Sequence, residues 1–90
     1  MPDTQSAFIW YHTDNLNMAE MKEWLKLVKA QTGAKCKLYV RRKDGKTTFM
    51  ETYANISEAT TIAIEGLAAA HPLFQGIDRR CESFLRIDKL

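Results

Sequence analysis

The sequence has few cysteines, which cross-link a chain, and few prolines and glycines, which interrupt helices and strands. It has two cysteines, two prolines and four glycines among 90 residues. Two cysteines are too few for a disulfide-stapled scaffold, and this glycine and proline content excludes collagen-like and low-complexity chains. We therefore expect Cys36 and Cys81 to be small core residues, with no disulfide between them.

A strong excess of charge and long apolar runs are also lacking. The net charge is only +2 and 46% of the residues are hydrophobic. No stretch approaches the roughly 20 apolar residues of a membrane span, and the polar N-terminus lacks the basic region of a signal peptide. These features predict one soluble, cytoplasmic domain over residues 1–90, for which nucleic acid is an unlikely partner.

The basic residues gather around one predicted hairpin. They are Lys35, Lys37, Arg41, Arg42, Lys43 and Lys46. We interpret this cluster as the solvated tip of the hairpin, because charged runs at a turn are usually a solvent-facing surface.

The chain lacks the short sequence motifs that usually identify a catalytic or cofactor-binding site. It has no Walker loop, GxGxxG, HExxH, CxxC or GxSxG sequence, and neither cysteine has a histidine close to it. These absences remove the usual signals for a bound nucleotide, a metal or an activated nucleophile. We predict no cofactor and no metal, and the motifs leave catalysis undecided.

The patterns that are present alternate between strand and helix. Six segments carry them in the order strand, helix, strand, strand, helix, strand: residues 7–12, 17–32, 35–42, 47–53, 57–71 and 80–88. Asn17 and Glu20 form a capping-box pattern at the start of the first helix, and Gly33 supplies its end. Such an order predicts an α+β, ferredoxin-like βαββαβ fold. Its antiparallel sheet has strand order 4-1-3-2, and both helices cover one face.

The second helix is rich in small residues. Ile62, Ala63, Gly66 and Ala70 fall on one side of it, and we expect this side to pack on the sheet. Glycine lowers helix stability by about 1 kcal/mol relative to alanine, so Gly66 suggests a close approach to a neighbour.

The turn around Asp44 and Gly45 decides which side chains share a face. A two-residue turn would oppose Leu38 to Glu51, and a three-residue turn would oppose Tyr39 to Phe49 and Lys37 to Glu51. We predict the three-residue turn, because it creates an aromatic pair and an opposite-charge pair.

The predicted register divides the strand residues between two faces. The face under the helices receives Cys36, Leu38, Val40, Met50, Leu85 and Ile87. The other face receives Phe8, Trp10, His12, Lys37, Tyr39, Arg41, Phe49, Glu51, Tyr53, Glu82, Phe84 and Arg86. Because this second face carries too many aromatic rings to stay in water, we predict a homodimer that covers it, a dimeric α+β barrel.

Eight residues of that face form the candidate ligand-binding site. They are Trp10, His12, Tyr39, Arg41, Phe49, Glu51, Tyr53 and Arg86. The aromatic rings would supply contact area for a flat or acidic small molecule, and the charges would orient it. Alternatively, the same rings pack in a dimer interface, where Glu51 pairs with Lys37 or an arginine.

Three stretches carry a resemblance to known proteins: FIWYHTD, TGAKCKLYVRRKDGKTTFMETYANISE and CESFLRID. With them the chain resembles an uncharacterised family of short bacterial proteins, a domain of unknown function. More remotely it looks like the dimeric α+β barrel superfamily, through METY and a helix that ends at His71. That likeness implies an alternative function, a cofactor-independent monooxygenase-like enzyme. Trp10, His12 and Arg86 are the residues we assign to it, because we expect them to converge on the predicted cavity.

A further resemblance is to the RNA recognition motif, which shares the βαββαβ order. In that family aromatic side chains on the sheet stack on bases. Only Phe49 of the KTTFME segment fits the family's pattern on the third strand. This resemblance implies RNA binding through Tyr39, Phe49 and Phe84 as a less favoured function.

Overall fold

The predicted order of strands and helices is observed. The structure, a computed structural model, describes residues 4–88. Its strands and α-helices are β1 (Thr4–His12), α1 (Met18–Thr32), β2 (Cys36–Lys43), β3 (Lys46–Ser57), α2 (Glu58–Ala70) and β4 (Arg80–Phe84). A short 3-10 helix, Pro72–Phe74, follows α2. The strands form one antiparallel sheet in the order β2-β3-β1-β4, which is the predicted order seen from the other edge.

Helix α1 begins and ends as its sequence indicates. The Asn17 side chain accepts a hydrogen bond from the Glu20 backbone N–H at 2.9 Å, and the Glu20 carboxylate accepts one from the Asn17 N–H at 3.4 Å. Gly33 has φ 78°, the left-handed conformation that glycine adopts without strain. Met21, Trp24 and Val28 then face the sheet and are buried.

The hairpin register differs from the prediction. Asp44 and Gly45 form a two-residue turn with φ values of 54° and 73°, and Lys43 pairs with Lys46. Positive φ at both positions gives a turn whose twist matches that of the strands it joins. Leu38 therefore opposes Glu51, and every β3 side chain moves to the face opposite the predicted one.

The core lies between the sheet and the two helices. Its largest members from the sheet are Ile9, Tyr11, Phe49 and Tyr53. Several residues predicted for this face are not in the core: Met50 is on the other face, Val40 is on the predicted face but exposed, and Leu85 and Ile87 follow the end of β4 and are exposed. Cys36 and Leu38 pack against the core as expected.

Helix α2 presents a different side to the sheet than the one predicted. Ile64 and Ala68 are buried, whereas Ile62 is 66% exposed. A Cβ atom added at Gly66 would meet nothing within 4 Å, so no close packing requires glycine there. In a helix this rich in alanine, more than one side has apolar residues at helical spacing, and the pattern alone does not select between them.

Cys36 and Cys81 are free and lie on the two edge strands. Among residues 4–88, no helix is long and apolar enough to cross a membrane.

Candidate functional site

The eight predicted site residues do not lie together. Trp10, His12, Tyr39 and Arg41 stand on the face of the sheet away from the helices. The hairpin register places Phe49, Glu51 and Tyr53 on the helix side, where all three are buried. Arg86 follows β4, is exposed, and pairs with Asp88 at 2.6 Å. Within this chain the eight residues therefore divide between a surface and the core, and ligand binding by them stays a prediction.

We call the helix-free side of the sheet the open face. Strand pairing assigns fifteen side chains to it: Ser6, Phe8, Trp10, His12, Lys37, Tyr39, Arg41, Lys43, Lys46, Thr48, Met50, Thr52, Arg80, Glu82 and Phe84. Five of them are large and apolar, and Phe8 and Phe84 pack edge to face with ring centres 5.5 Å apart. The face keeps the aromatic character that the sequence predicted, although β3 contributes methionine and threonine to it instead of aromatic rings.

One end of the open face, next to the β2–β3 hairpin, holds a shallow groove that we call the His12 groove. It has a volume of about 520 Å³. Its lining includes Trp10, His12, Tyr39, Arg41, Thr48 and Met50. His12 Nδ1 lies 2.8 Å from Thr48 Oγ1, which fixes the imidazole ring beside the aromatic side chains. Four of the eight predicted residues meet here.

The other end of the face holds a larger groove, which we call the Gly33 groove. Its volume is about 820 Å³. Phe8, Tyr39 and Met50 line it from the sheet, and residues 33–37 and 54–56 close its end. The two grooves share Tyr39 and Met50, so they adjoin on one surface.

On the opposite side of the sheet, Glu51 is the centre of a buried polar cluster. Its Oε2 accepts hydrogen bonds from Tyr11 at 2.5 Å, Trp24 at 3.1 Å and Arg79 at 2.8 Å. Its Oε1 accepts from Tyr53 at 2.6 Å and from Arg79 at 3.4 Å. The acceptor positions of this carboxylate are thus occupied by the protein itself, which is how a buried charge becomes tolerable.

Arg79 connects Glu51 to the surface of the molecule. Its side chain is 7% exposed, and its guanidinium also pairs with Glu65 at 2.8 Å. The guanidinium carbon lies 4.4 Å from the centre of the Phe74 ring and 5.1 Å from that of Tyr11. Cation–π contacts and two carboxylates therefore surround this cation.

The cluster perturbs the groups around it. Burial, followed by the nearby Glu51 charge, raises the pKa of both Tyr11 and Tyr53, so these hydroxyls stay protonated as donors. Burial opposes the charge of Arg79, but hydrogen bonds to Glu51 and Glu65 outweigh it and raise its pKa. Burial and Glu51 raise the pKa of Cys36 to about 11, so its thiol is neutral at physiological pH. The cluster is consequently a fixed set of donors around one acceptor.

Sequence reasoning named Glu51 and Tyr53 but missed Tyr11, Trp24 and Arg79 as their partners. Arg79 lies in a segment predicted as a loop, 28 residues from Glu51, and only the folded chain brings them together. The sequence has one signal for the buried position of Glu51. Its alternate neighbours on the strand, Phe49 and Tyr53, are aromatic, and a strand side lined by aromatic residues usually faces a core.

Neither the open face nor the buried cluster around Glu51, within residues 4–88, has the set of ligands that a metal ion needs. Within the described part of the chain, no three His, Cys, Asp or Glu side chains group closely enough to hold an ion.

No family model and no curated protein matches the chain. Two solved structures share its fold. The de novo designed protein Foldit4 aligns with a TM-score of 0.64 at 8% identity, over 93% of this chain and 99% of that one. The de novo designed protein Ferredog-Diesel aligns with a TM-score of 0.53 at 17% identity, over 86% and 83%. At these identities the likeness shows a small α+β, ferredoxin-like fold and nothing about function.

Proposed function

We propose that this chain forms a homodimer in which two open faces pack against each other. The observation that carries the proposal is the contiguous apolar surface of that face, where Tyr39 is 55% and Phe84 54% exposed. Phe8, Trp10 and Met50 lie between them. Surfaces of this kind are usually covered by a partner, because apolar area in water is unfavourable.

The positions of Lys37 and Glu82 on the open face fit a second copy as that partner. Strand pairing sets Glu82, Phe8, Thr52 and Lys37 in one row across the sheet. A two-fold axis that lies between the faces and runs parallel to the strands lays each row on the partner's same row in reverse order. Lys37 then meets the partner's Glu82, and Glu82 meets the partner's Lys37.

The next row supports the same arrangement. It contains Arg80, Trp10, Met50 and Tyr39 in that order. When the two-fold axis lays this row on the partner's same row in reverse order, Trp10 meets the partner's Met50 in an apolar contact. Tyr39 meets the partner's Arg80 in a cation–π contact. The roughly 30° angle between packed sheets shifts these side chains by a few Å, within the reach of long side chains.

A two-fold axis perpendicular to the strands is less favourable. It would lay β2 on the partner's β2 in the opposite direction, with Tyr39 at the centre. Lys37 would then face the partner's Arg41 on both sides, and like charges in an interface are unfavourable.

The size of the face sets the expected affinity. Four strands spaced about 4.8 Å apart, over the five residues of the shortest strand, β4, at about 3.4 Å each, cover roughly 330 Å². Because stable interfaces bury about 800 Å² per partner, we expect a dimer that dissociates on dilution in the micromolar range.

Charge reversal tests the proposal. We expect Lys37→Glu and Glu82→Lys each to weaken the dimer measured by sedimentation velocity, and the double variant to restore it. Within one chain the two residues lie on opposite edge strands, about 14 Å apart, so restoration reports a contact between chains. Lys22→Glu, an exposed change on α1, is the matched control and should leave the dimer unchanged. A wild-type monomer at every concentration, or a double variant no better than the single ones, would overturn the proposal.

The two alternative functions have less support. The oxygenase-like hypothesis needs Trp10, His12 and Arg86 around one cavity, but the Arg86 side chain bonds to Asp88 beyond the end of β4. The RNA-binding hypothesis loses Phe49 to the core and keeps Tyr39 and Phe84 on opposite edge strands. Membership in an uncharacterised bacterial family and a cytoplasmic location stay predictions.

A further inference from the structure

We infer that the Gly33 groove binds a small apolar molecule that carries an anionic group. The groove is built by a single chain, and because the proposed homodimer would cover Phe8, Tyr39 and Met50 on its sheet side, the inference concerns the dissociated chain. The groove's volume of about 820 Å³ lies within the range of roughly 300–1,000 Å³ that is usual for small-molecule sites.

The groove exists because the sheet is incomplete at this corner. Strand β2 begins at Cys36, whereas β3 continues past its partner Tyr53 to Ser57 and has no β2 neighbour there. Asn55, with φ 55°, lies in the bulge where two β3 residues oppose one of β1. The strand bends away at the bulge and leaves a depression beside Gly33.

Apolar side chains make most of the walls. Phe8, Tyr39 and the flexible Met50 line the groove from the sheet. An aromatic or branched apolar body fits such walls, because flat rings gain contact area and methionine adapts to irregular shapes.

The charge of the lining has one sign. Lys35 and Lys37 both line the groove, and no Asp or Glu stands among the described residues that do so. Glu82 is the carboxylate of the open face, and it lies on the far edge strand. Glu51 lies behind the sheet with its oxygens bonded to Tyr11, Tyr53, Trp24 and Arg79. An anionic group at the Lys35 end therefore meets attraction without a competing carboxylate.

The proposed homodimer and a ligand in this groove compete for the same surface, because Phe8, Met50 and Tyr39 would face the partner's Thr52, Trp10 and Arg80 in the dimer. In the dissociated chain both Lys35 and Lys37 are available to the anionic group of the ligand.

Two matched fluorescent probes test the inference. 1-Anilinonaphthalene-8-sulfonate and N-phenyl-1-naphthylamine share the same ring body, and only the first carries a sulfonate. We expect the sulfonate probe to bind more tightly, and added salt to weaken its binding selectively. Lys35→Gln should weaken the sulfonate probe about two- to fivefold and leave the neutral probe unchanged. Lys46→Gln removes a cation that does not line the groove and should change neither probe.

A second variant tests the location independently of charge. Ala54 is exposed and lines the groove, so Ala54→Trp should fill it without disturbing the core and should weaken both probes about tenfold or more. Repeating the titrations on Glu82→Lys separates the two proposals, since this change disrupts the dimer and leaves the groove lining intact. Sulfonate-selective binding to the dissociated chain that Lys35→Gln and Ala54→Trp reduce supports the site. Binding that neither change reduces, or no binding to the dissociated chain, overturns it.

Discussion

Glu51 is a carboxylate in the middle of an otherwise apolar core. It has no exposed surface, and Tyr11, Trp24, Tyr53 and Arg79 all donate to it. A buried ion pair is weak evidence for net stability, because desolvation offsets much of the attraction. Its removal is costly nevertheless, since the donors arranged around it lose their acceptor.

Replacing Glu51 tests this directly. We expect Glu51→Gln to lower the free energy of unfolding by about 3–5 kcal/mol, because Arg79 keeps its charge while its buried partner loses its own. Glu65→Gln is the matched control, since it removes the other carboxylate of Arg79 at a position that is 30% exposed. We expect a loss of about 1 kcal/mol or less there. Urea unfolding at pH 7 measures both, and equal losses would contradict the central role of Glu51.

Cys36 gives the molecule a dependence on alkaline pH. Its pKa is raised from 9.0 to about 11 in the folded chain, first by burial and then by Glu51. The unfolded chain has the lower pKa, so it releases the thiol proton at a lower pH than the folded chain does. The stabilisation that comes from this pKa difference is therefore complete below pH 9 and is lost as the pH rises from 9 towards 11. We expect the free energy of unfolding to fall over this interval, and to fall less steeply in Cys36→Ala. Parallel pH profiles for the two proteins would contradict this assignment.

Among the secondary-structure elements, the β2–β3 hairpin shows what a sequence pattern can and cannot decide. Both strands alternate, and Asp44-Gly45 marks the turn unmistakably, so the hairpin itself was predictable. The register was not, because favourable cross-strand pairs existed for either turn length. Positive φ at both Asp44 and Gly45 favours the shorter turn, and burial of Phe49 and Tyr53 agrees with it. The shorter turn also buries Glu51, and the core accepts this carboxylate because Arg79 pairs with it, which local sequence patterns do not reveal.

Helix α2 provides a prediction about stability. Gly66 is exposed, and a Cβ atom there meets no neighbour within 4 Å. Gly66→Ala should therefore raise the free energy of unfolding by about 0.5–1 kcal/mol, through helix propensity alone. Gly33→Ala is the opposite case, since φ 78° strains any residue with a Cβ, and it should lower stability by about 1–2 kcal/mol. Thermal unfolding followed by circular dichroism distinguishes the two, and a destabilising Gly66→Ala would show that α2 packs more closely than described.

For the whole molecule, the architecture was more predictable than the site. Strand order follows from element order, chain length and the handedness of crossovers, none of which needs a correct register. The site needed the register, and a shift of one residue exchanged the faces of Phe49, Glu51 and Tyr53. Trp10 and Tyr39 stayed on the open face because β1 and β2 kept their predicted phases.

The homodimer predicts how thermal stability depends on protein concentration. A partner that binds only the folded chain stabilises it by up to about 2.7 kcal/mol at a hundred times Kd. In a domain of this size each kcal/mol shifts Tm by about 4–8 °C. We therefore expect Tm to rise by several degrees between about 5 and 500 µM for the wild type, given the micromolar Kd expected from the small interface. Glu82→Lys keeps the fold of the single chain but places like charges across the interface, so its Tm should stay constant over the same range. A wild-type Tm that is independent of concentration would leave the open face in contact with water, and the aromatic surface would then need an occupant other than a second copy of this chain.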